Sequence, residues 1–146
     1  MLAYVDTSML VKRYLPELGS EEFEARLLGE RPDLIASEIV HPELASALRR
    51  RARQGHIDEQ YLMDALDDFD QDVQRRAVRL APLDTVCVHG AAHLVRRLRA
   101  PIATLDSLHL ATALEHRCDI IFTNDSQLAR AAVEAGLASW PQDGRT

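Results

Sequence analysis

Cysteine is scarce in this chain. Cys87 and Cys118 are the two among its 146 residues, too few for a disulfide framework, and each reads as a small core residue rather than a ligand. A reducing, cytoplasmic setting is therefore expected. Long apolar runs are missing as well. None approaches the roughly 20 residues that span a bilayer, so no membrane segment is expected. An acid at Asp6 interrupts the amino terminus, which does not suit a secretory leader. There is no low-complexity stretch, linker or repeat. Nor is there an excess of basic residues: 17 Lys and Arg face 23 Asp and Glu, for a net charge of −6. Taken alone, that argues against a nucleic-acid partner, because such binders usually carry a basic footprint.

The basic residues that are present bunch together, at Arg49, Arg50, Arg51 and Arg53, at Arg75, Arg76 and Arg79, and at Arg96, Arg97 and Arg99. Cations bound to a cluster of acids would cancel most of the net negative charge. Each arginine cluster taken singly reads as a solvated helix face.

Apolar runs alternate with helical periodicity along the whole chain. Strands are expected at 2–5, 33–36, 78–83, 102–105 and 119–123, with an edge strand at 137–140. Helices are expected at 9–15, 21–28, 38–54, 58–76, 86–99, 107–116 and 127–135. Pro16, Gly55 and Gly136 stop three of them. Short strands separated by helices imply crossover connections and a parallel sheet. That organisation excludes an aspartic-protease reading of Asp6-Thr7-Ser8, since two β-rich lobes would be needed.

In an open α/β sheet, ligands bind outside the carboxyl ends of the strands. Asp6 follows LAYV, Asp106 follows IATL, Asp125 follows IIFTN, and Asp84 follows VRLAPL. Any one of these acids is well explained as a helix N-cap. Together they need a different reason. Crowded carboxylates raise one another's pKa, and a hard divalent cation with oxygen ligands relieves that repulsion. Glu43 is a fourth candidate, at the margin of the apolar stripe of Val40, Leu44 and Ala47. His89 and His93 stand four apart, but no HExxH glutamate accompanies them, so zinc is not expected. His109 reads as a hydrogen-bonded, partly buried residue rather than a base. A haloacid-dehalogenase-like phosphatase would need a second acid where Ser8 stands and a downstream lysine, yet Lys12 is the sole lysine.

Four segments occur in order: LAYVDTS at 2–8, SEIVHPELASALRR at 37–50, LDSLHLATAL at 105–114 and FTNDSQLARAA at 122–132, with Gly136 behind the last. The set resembles the PIN-domain family, specifically VapC-type toxins of bacterial toxin–antitoxin systems. The resemblance implies a three-layer α/β/α fold around a short, mostly parallel sheet. The length makes one domain the expectation, over residues 1–140, with 141–146 a frayed tail. Asp6, Glu43, Asp106 and Asp125 fall on the family's acidic quartet, and Ser8 and Thr123 on positions that orient its carboxylates. Asp84 matches no catalytic position and returns to the cap reading.

The implied activity is Mg²⁺- or Mn²⁺-dependent endoribonuclease chemistry, in which a metal-activated water attacks the phosphodiester. A cognate antitoxin protein and a homodimer are implied partners. Arg50, two turns beyond Glu43 on nearly the same helix face, is a candidate contact to the RNA backbone. Two alternatives remain at this point. One is a non-catalytic partner-binding module using the helices at 38–54 and 58–76. The other is a DNA-directed nuclease of the same superfamily.

Overall fold

The computed structural model describes residues 1–141. Twelve elements follow in order: β1 (Leu2–Val5), α1 (Thr7–Tyr14), α2 (Ser20–Glu30), β2 (Asp33–Ser37), α3 (Val40–Arg53), α4 (Glu59–Gln74), β3 (Arg79–Ala81), α5 (Thr85–Arg97), α6 (Thr104–Glu115), β4 (Ile120–Thr123), α7 (Ser126–Glu134) and β5 (Ala138–Pro141). The five strands form one sheet in the order β3-β2-β1-β4-β5. All four pairings are parallel. No helix among the described residues is long and apolar enough to cross a membrane.

Strand alternation sorts the core into two layers, because successive side chains point to opposite faces of a sheet. Ala3, Val5, Leu34, Ala36 and Phe122 join one cluster, with Leu10 of α1, Phe23 of α2, Leu44 and Leu48 of α3, and Phe69 of α4. Tyr4, Ile35 and Ile121 join the other, with Ala91 and Leu94 of α5, Leu110 of α6 and Leu128 of α7. Helices thus cover both faces, in three α/β/α layers. Parallel strands buried on both sides read as continuous apolar runs, as LAYV and IIFT do. Fully burying one side chain of the size of Phe122 or Leu44 contributes roughly 1.5–3 kcal/mol.

Four aspartates start helices. The side chains of Asp6, Asp58, Asp84 and Asp125 accept backbone N–H groups at the heads of α1, α4, α5 and α7. The loop before α2 is locked differently. Lys12 Nζ donates to Glu17 Oε1 at 3.1 Å and to the Leu18 carbonyl at 2.5 Å. Gly19 turns away at φ 91° with the lysine stem close against it, a conformation that glycine adopts without strain.

One expected strand is not there. Residues 102–105 do not join the sheet: Ala103 caps α6, which begins at Thr104. β1 already has β2 and β4 on its two sides, and Pro101 lacks a ladder donor. Ser107 Oγ bonds the Thr104 carbonyl at 2.6 Å, closing a helical turn there. Asp106 therefore lies inside the first turn of a helix, not at a strand end. α3 also begins later than expected, because Glu38 turns aside to accept the Leu83 N–H at 2.6 Å. β3 keeps only three residues of the apolar run at 78–83. The edge strand forms, and Pro141 pairs with Thr123 at its end. The rest of the expected tail, 142–146, lies outside the described residues.

Candidate active site

The strand order reverses direction at β1 and β4. β1 connects onward to β2 on one side, while β4 and β5 extend the sheet on the other. Open α/β sheets bind ligands at such a switch point. Asp6 immediately follows β1, and its N–H bonds the Phe122 carbonyl of β4 at 3.1 Å. Asp125 stands two residues beyond β4. The topology alone places these two acids at one edge of the sheet.

Both carboxylates are held by neighbouring groups. Asp6 is buried. Its Oδ1 accepts from Ser8 Oγ at 2.7 Å and from the Met9 N–H at 3.0 Å, and its Oδ2 accepts from Thr123 Oγ1 at 2.5 Å. Ser8 and Thr123 each bridge onward, accepting the N–H groups of Asn124 at 2.8 Å and Asp125 at 3.0 Å. A small hydroxyl lattice therefore ties the Asp6 cap to the Asp125 cap. Asp125 Oδ1 accepts from Gln127 and Leu128 N–H groups. Burial pushes the Asp6 carboxyl up, and His109 and these hydrogen bonds oppose that shift without cancelling it.

Asp106 enters from α6 and Glu43 from the first turn of α3. Asp106 accepts no hydrogen bond among the described residues. Its carboxyl is pushed up to about 6, first by burial, then by repulsion from Asp125, with Asp6 and Glu43 adding to it and His109 opposing. One acid thus senses the other three. Glu43 behaves differently. Burial pushes it up, but hydrogen bonds from His109 and Thr7 and the electrostatic pull of His109 outweigh burial and hold it below the usual glutamate value. Its Oε1 takes both bonds, 2.6 Å from His109 Nε2 and 2.9 Å from Thr7 Oγ1. Its Oε2 takes none among the described residues.

These are hard oxygen donors with accumulated negative charge, a set suited to Mg²⁺ or Mn²⁺. Both oxygens of Asp106, Oδ2 of Asp125 and Oε2 of Glu43 receive no protein donor among the described residues. Among the described residues no three His, Cys, Asp or Glu side chains form a ready-made metal cage. Mg²⁺ does not require one, since it binds through one or two carboxylates and keeps several waters.

The remaining candidates separate clearly. Arg50 is exposed and lines a cleft of about 480 Å³ with Glu43, Thr7, Pro42 and Leu105. It also lines a smaller one, of about 250 Å³, with Ser8, Arg51 and Asn124. Arg49 and Arg51 are paired to Glu59 and Glu17, whereas Arg50 has no such partner among the described residues. Asp84 caps α5 through Cys87 N–H at 2.8 Å, as the cap reading expected. His89 and His93 are exposed on α5. His109 is hydrogen-bonded but fully rather than partly buried, and it touches Glu43 directly. Sequence reasoning missed Tyr4 and Thr7 as neighbours of the site. For the contact of His109 with the site, a signal was available in the three-residue spacing of Asp106 and His109, which places both on one face of a helix.

Comparison with known proteins agrees with this architecture. The family model described as PIN domain matches residues 3–134. Ribonuclease VapC45 of Mycobacterium tuberculosis is 32% identical over 113 residues, covering 77% of this chain and 75% of that protein. Among solved structures, VapC20 of M. tuberculosis, described as a sarcin-ricin loop cleaving toxin, superposes with a TM-score of 0.67 at 18% identity, over 88% of this chain and 94% of that one. VapBC2 from Rickettsia felis, bound to a fragment of promoter DNA, gives 0.67 at 18% identity, over 95% and 97%. At those identities the two structures speak for the fold. The chain belongs to the PIN-domain family, with VapC ribonucleases among its relatives.

Proposed function

We propose that this protein is a metal-dependent endoribonuclease, the toxin of a toxin–antitoxin pair, formed by one nuclease domain over residues 1–140. The observation that carries this reading is the gathering of four acids at one edge of the sheet, where burial and then repulsion from Asp125, Asp6 and Glu43 push the Asp106 carboxyl up, and a divalent cation relieves that repulsion. Asp6 and Asp106 are the central ligands, and Asp125 and Glu43 complete the set. A bound Mg²⁺ or Mn²⁺ would supply charge stabilisation at the phosphoryl oxygens and acidify a water. Ser8 and Thr123 keep Asp6 oriented. Glu43, ionised at neutral pH, orients the attacking water through its free oxygen. The relatives named as VapC ribonucleases support RNA as the substrate. Toxin–antitoxin complexes of the same fold support a small antitoxin as partner. A homodimer through α3 and α4, in the cytoplasm, completes the proposal.

The direct test offers purified protein matched RNA and DNA with Mg²⁺, and sequences RNA ends after brief induction beside an Asp6→Asn control. RNA alone should be cut, and a chelator should stop it. Cutting of DNA would favour the DNA-directed reading, and no cutting at all would favour a partner-binding module.

Arg50 is positioned to meet a backbone phosphate. Arg50→Ala should weaken RNA binding at low salt and reduce the slope of log affinity against log salt by about 0.7. Fluorescence anisotropy from 50 to 200 mM salt measures it. An unchanged slope would remove Arg50 from the RNA path.

A further inference from the structure

Glu43 is anchored from inside the sheet by a relay that the acid cluster does not require. The Ser37 N–H at the end of β2 donates to Tyr4 Oη at 3.0 Å. Tyr4 Oη lies 2.6 Å from His109 Nδ1, and His109 Nε2 lies 2.6 Å from Glu43 Oε1. Tyr4 is fully buried and His109 is 2% exposed. Counting donors gives the relay its direction. An ionised carboxylate only accepts, so Nε2 carries a proton. Tyr4 Oη already accepts from Ser37, and its own proton needs an acceptor. His109 Nδ1 is the acceptor in reach, so in the neutral ring Tyr4 donates to it and the one ring proton sits on Nε2, while the electrostatic pull on the neighbouring acids belongs to the protonated ring.

We propose that His109, set in this tautomer by Tyr4, is a positioning residue that pins Oε1 of Glu43 and keeps Oε2 available to a divalent cation or its water. This rests on the metal-dependent reading above. A glutamate has three rotatable side-chain bonds, and a free one would swing with solvent. Here Thr7 and His109 fix the same oxygen from two elements, α1 and α6, while the backbone of α3 fixes the other end. Among the described residues neither Asp6 nor Asp106 hydrogen-bonds to His109, so the relay pins Glu43 alone. Partners of this kind around ligating carboxylates are worth 10–100-fold in metal affinity.

Two measurements on the full chain test this. Long-range ¹H–¹⁵N NMR of the metal-free protein should show His109 with a protonated Nε2 and a bare Nδ1, and Tyr4→Phe should lose that single tautomer. A wild-type ring protonated at Nδ1 instead would overturn the relay. Calorimetric titration with Mn²⁺ should show about 10–100-fold weaker binding in His109→Leu. His109→Gln, whose amide can still donate to Glu43, should regain most of it. Should His109→Leu not fold, Tyr4→Phe decides, because the ring volume is retained and only the hydroxyl is lost; it should bind Mn²⁺ several-fold more weakly. Wild-type affinity in these variants, with melting temperature alone altered, reduces His109 to a packing residue. If the wild type itself takes up no Mn²⁺, the metal-dependent reading falls and the proposal falls with it; if the wild type binds and the variants bind equally, only the proposal falls.

Discussion

Asp106→Asn is expected to abolish RNA cleavage and, in the metal-free protein, to raise the melting temperature. Both effects come from one carboxylate. In the folded state its pKa is about 6, against the usual 3.8, so folding favours its protonated form. The stability cost is absent below pH 4, grows as pH rises through 6, and is constant above. A shift of that size corresponds to roughly 3 kcal/mol, which solvent around a partly exposed carboxyl reduces to about 1 kcal/mol. Removing the charge should therefore gain about 3 °C at pH 7.5 and almost nothing at pH 4. Cleavage should fall at least about 100-fold, the upper end of what even an indirect metal partner costs. Saturating Mn²⁺ should stabilise the wild type by mass action and leave the variant where it was. Scanning calorimetry at the two pH values, with and without Mn²⁺, measures all of this. A variant less stable than wild type at pH 7.5 would mean that Asp106 is not under pressure from its neighbours.

Asp6→Ala is expected to move stability the other way while also ending cleavage. Asp6 is a cap as well as a candidate ligand. Its loss leaves the head of α1 without an acceptor, worth about 1 kcal/mol. It also leaves the proton of the buried Thr123 hydroxyl without its acceptor, at about 1–3 kcal/mol. Escape from the burial that pushes the Asp6 carboxyl up offsets part of this. The net expectation is a loss of about 2 kcal/mol, read as a lower urea midpoint at an unchanged m-value. If Asp6→Ala were as stable as wild type, the hydroxyl lattice around it would not be holding α1 to β4.

The opposite signs expected for Asp6 and Asp106 show where sequence reasoning was complete and where it stopped. Asp6 and Asp125 could be placed because a strand-end acid before a helix has one topological position in a parallel sheet. Cap and ligand looked like rival readings from sequence, but the geometry lets one side chain serve both. Glu43 was legible from the margin of its helical stripe, since Val40 and Leu44 are indeed buried. The setting of Asp106 was misread because IATL is too short to distinguish a strand from a helix start. The Ser37–Tyr4–His109–Glu43 relay was out of reach for another reason. It joins three side chains and one backbone N–H from four elements through contacts of 2.6–3.0 Å, and no periodicity encodes such pairings. A tyrosine inside an apolar strand looks like core until its hydroxyl finds a partner.

The sealed Lys12 has a practical consequence. It is the sole lysine, and its ammonium is turned inward onto Glu17 and the Leu18 carbonyl at 7% exposure. Every other permanently charged basic side chain in the sequence is an arginine. Amine-directed acylation of the native fold therefore finds no accessible lysine side chain in this sequence, and a dye or tether reaches Lys12 only once the loop before α2 has opened.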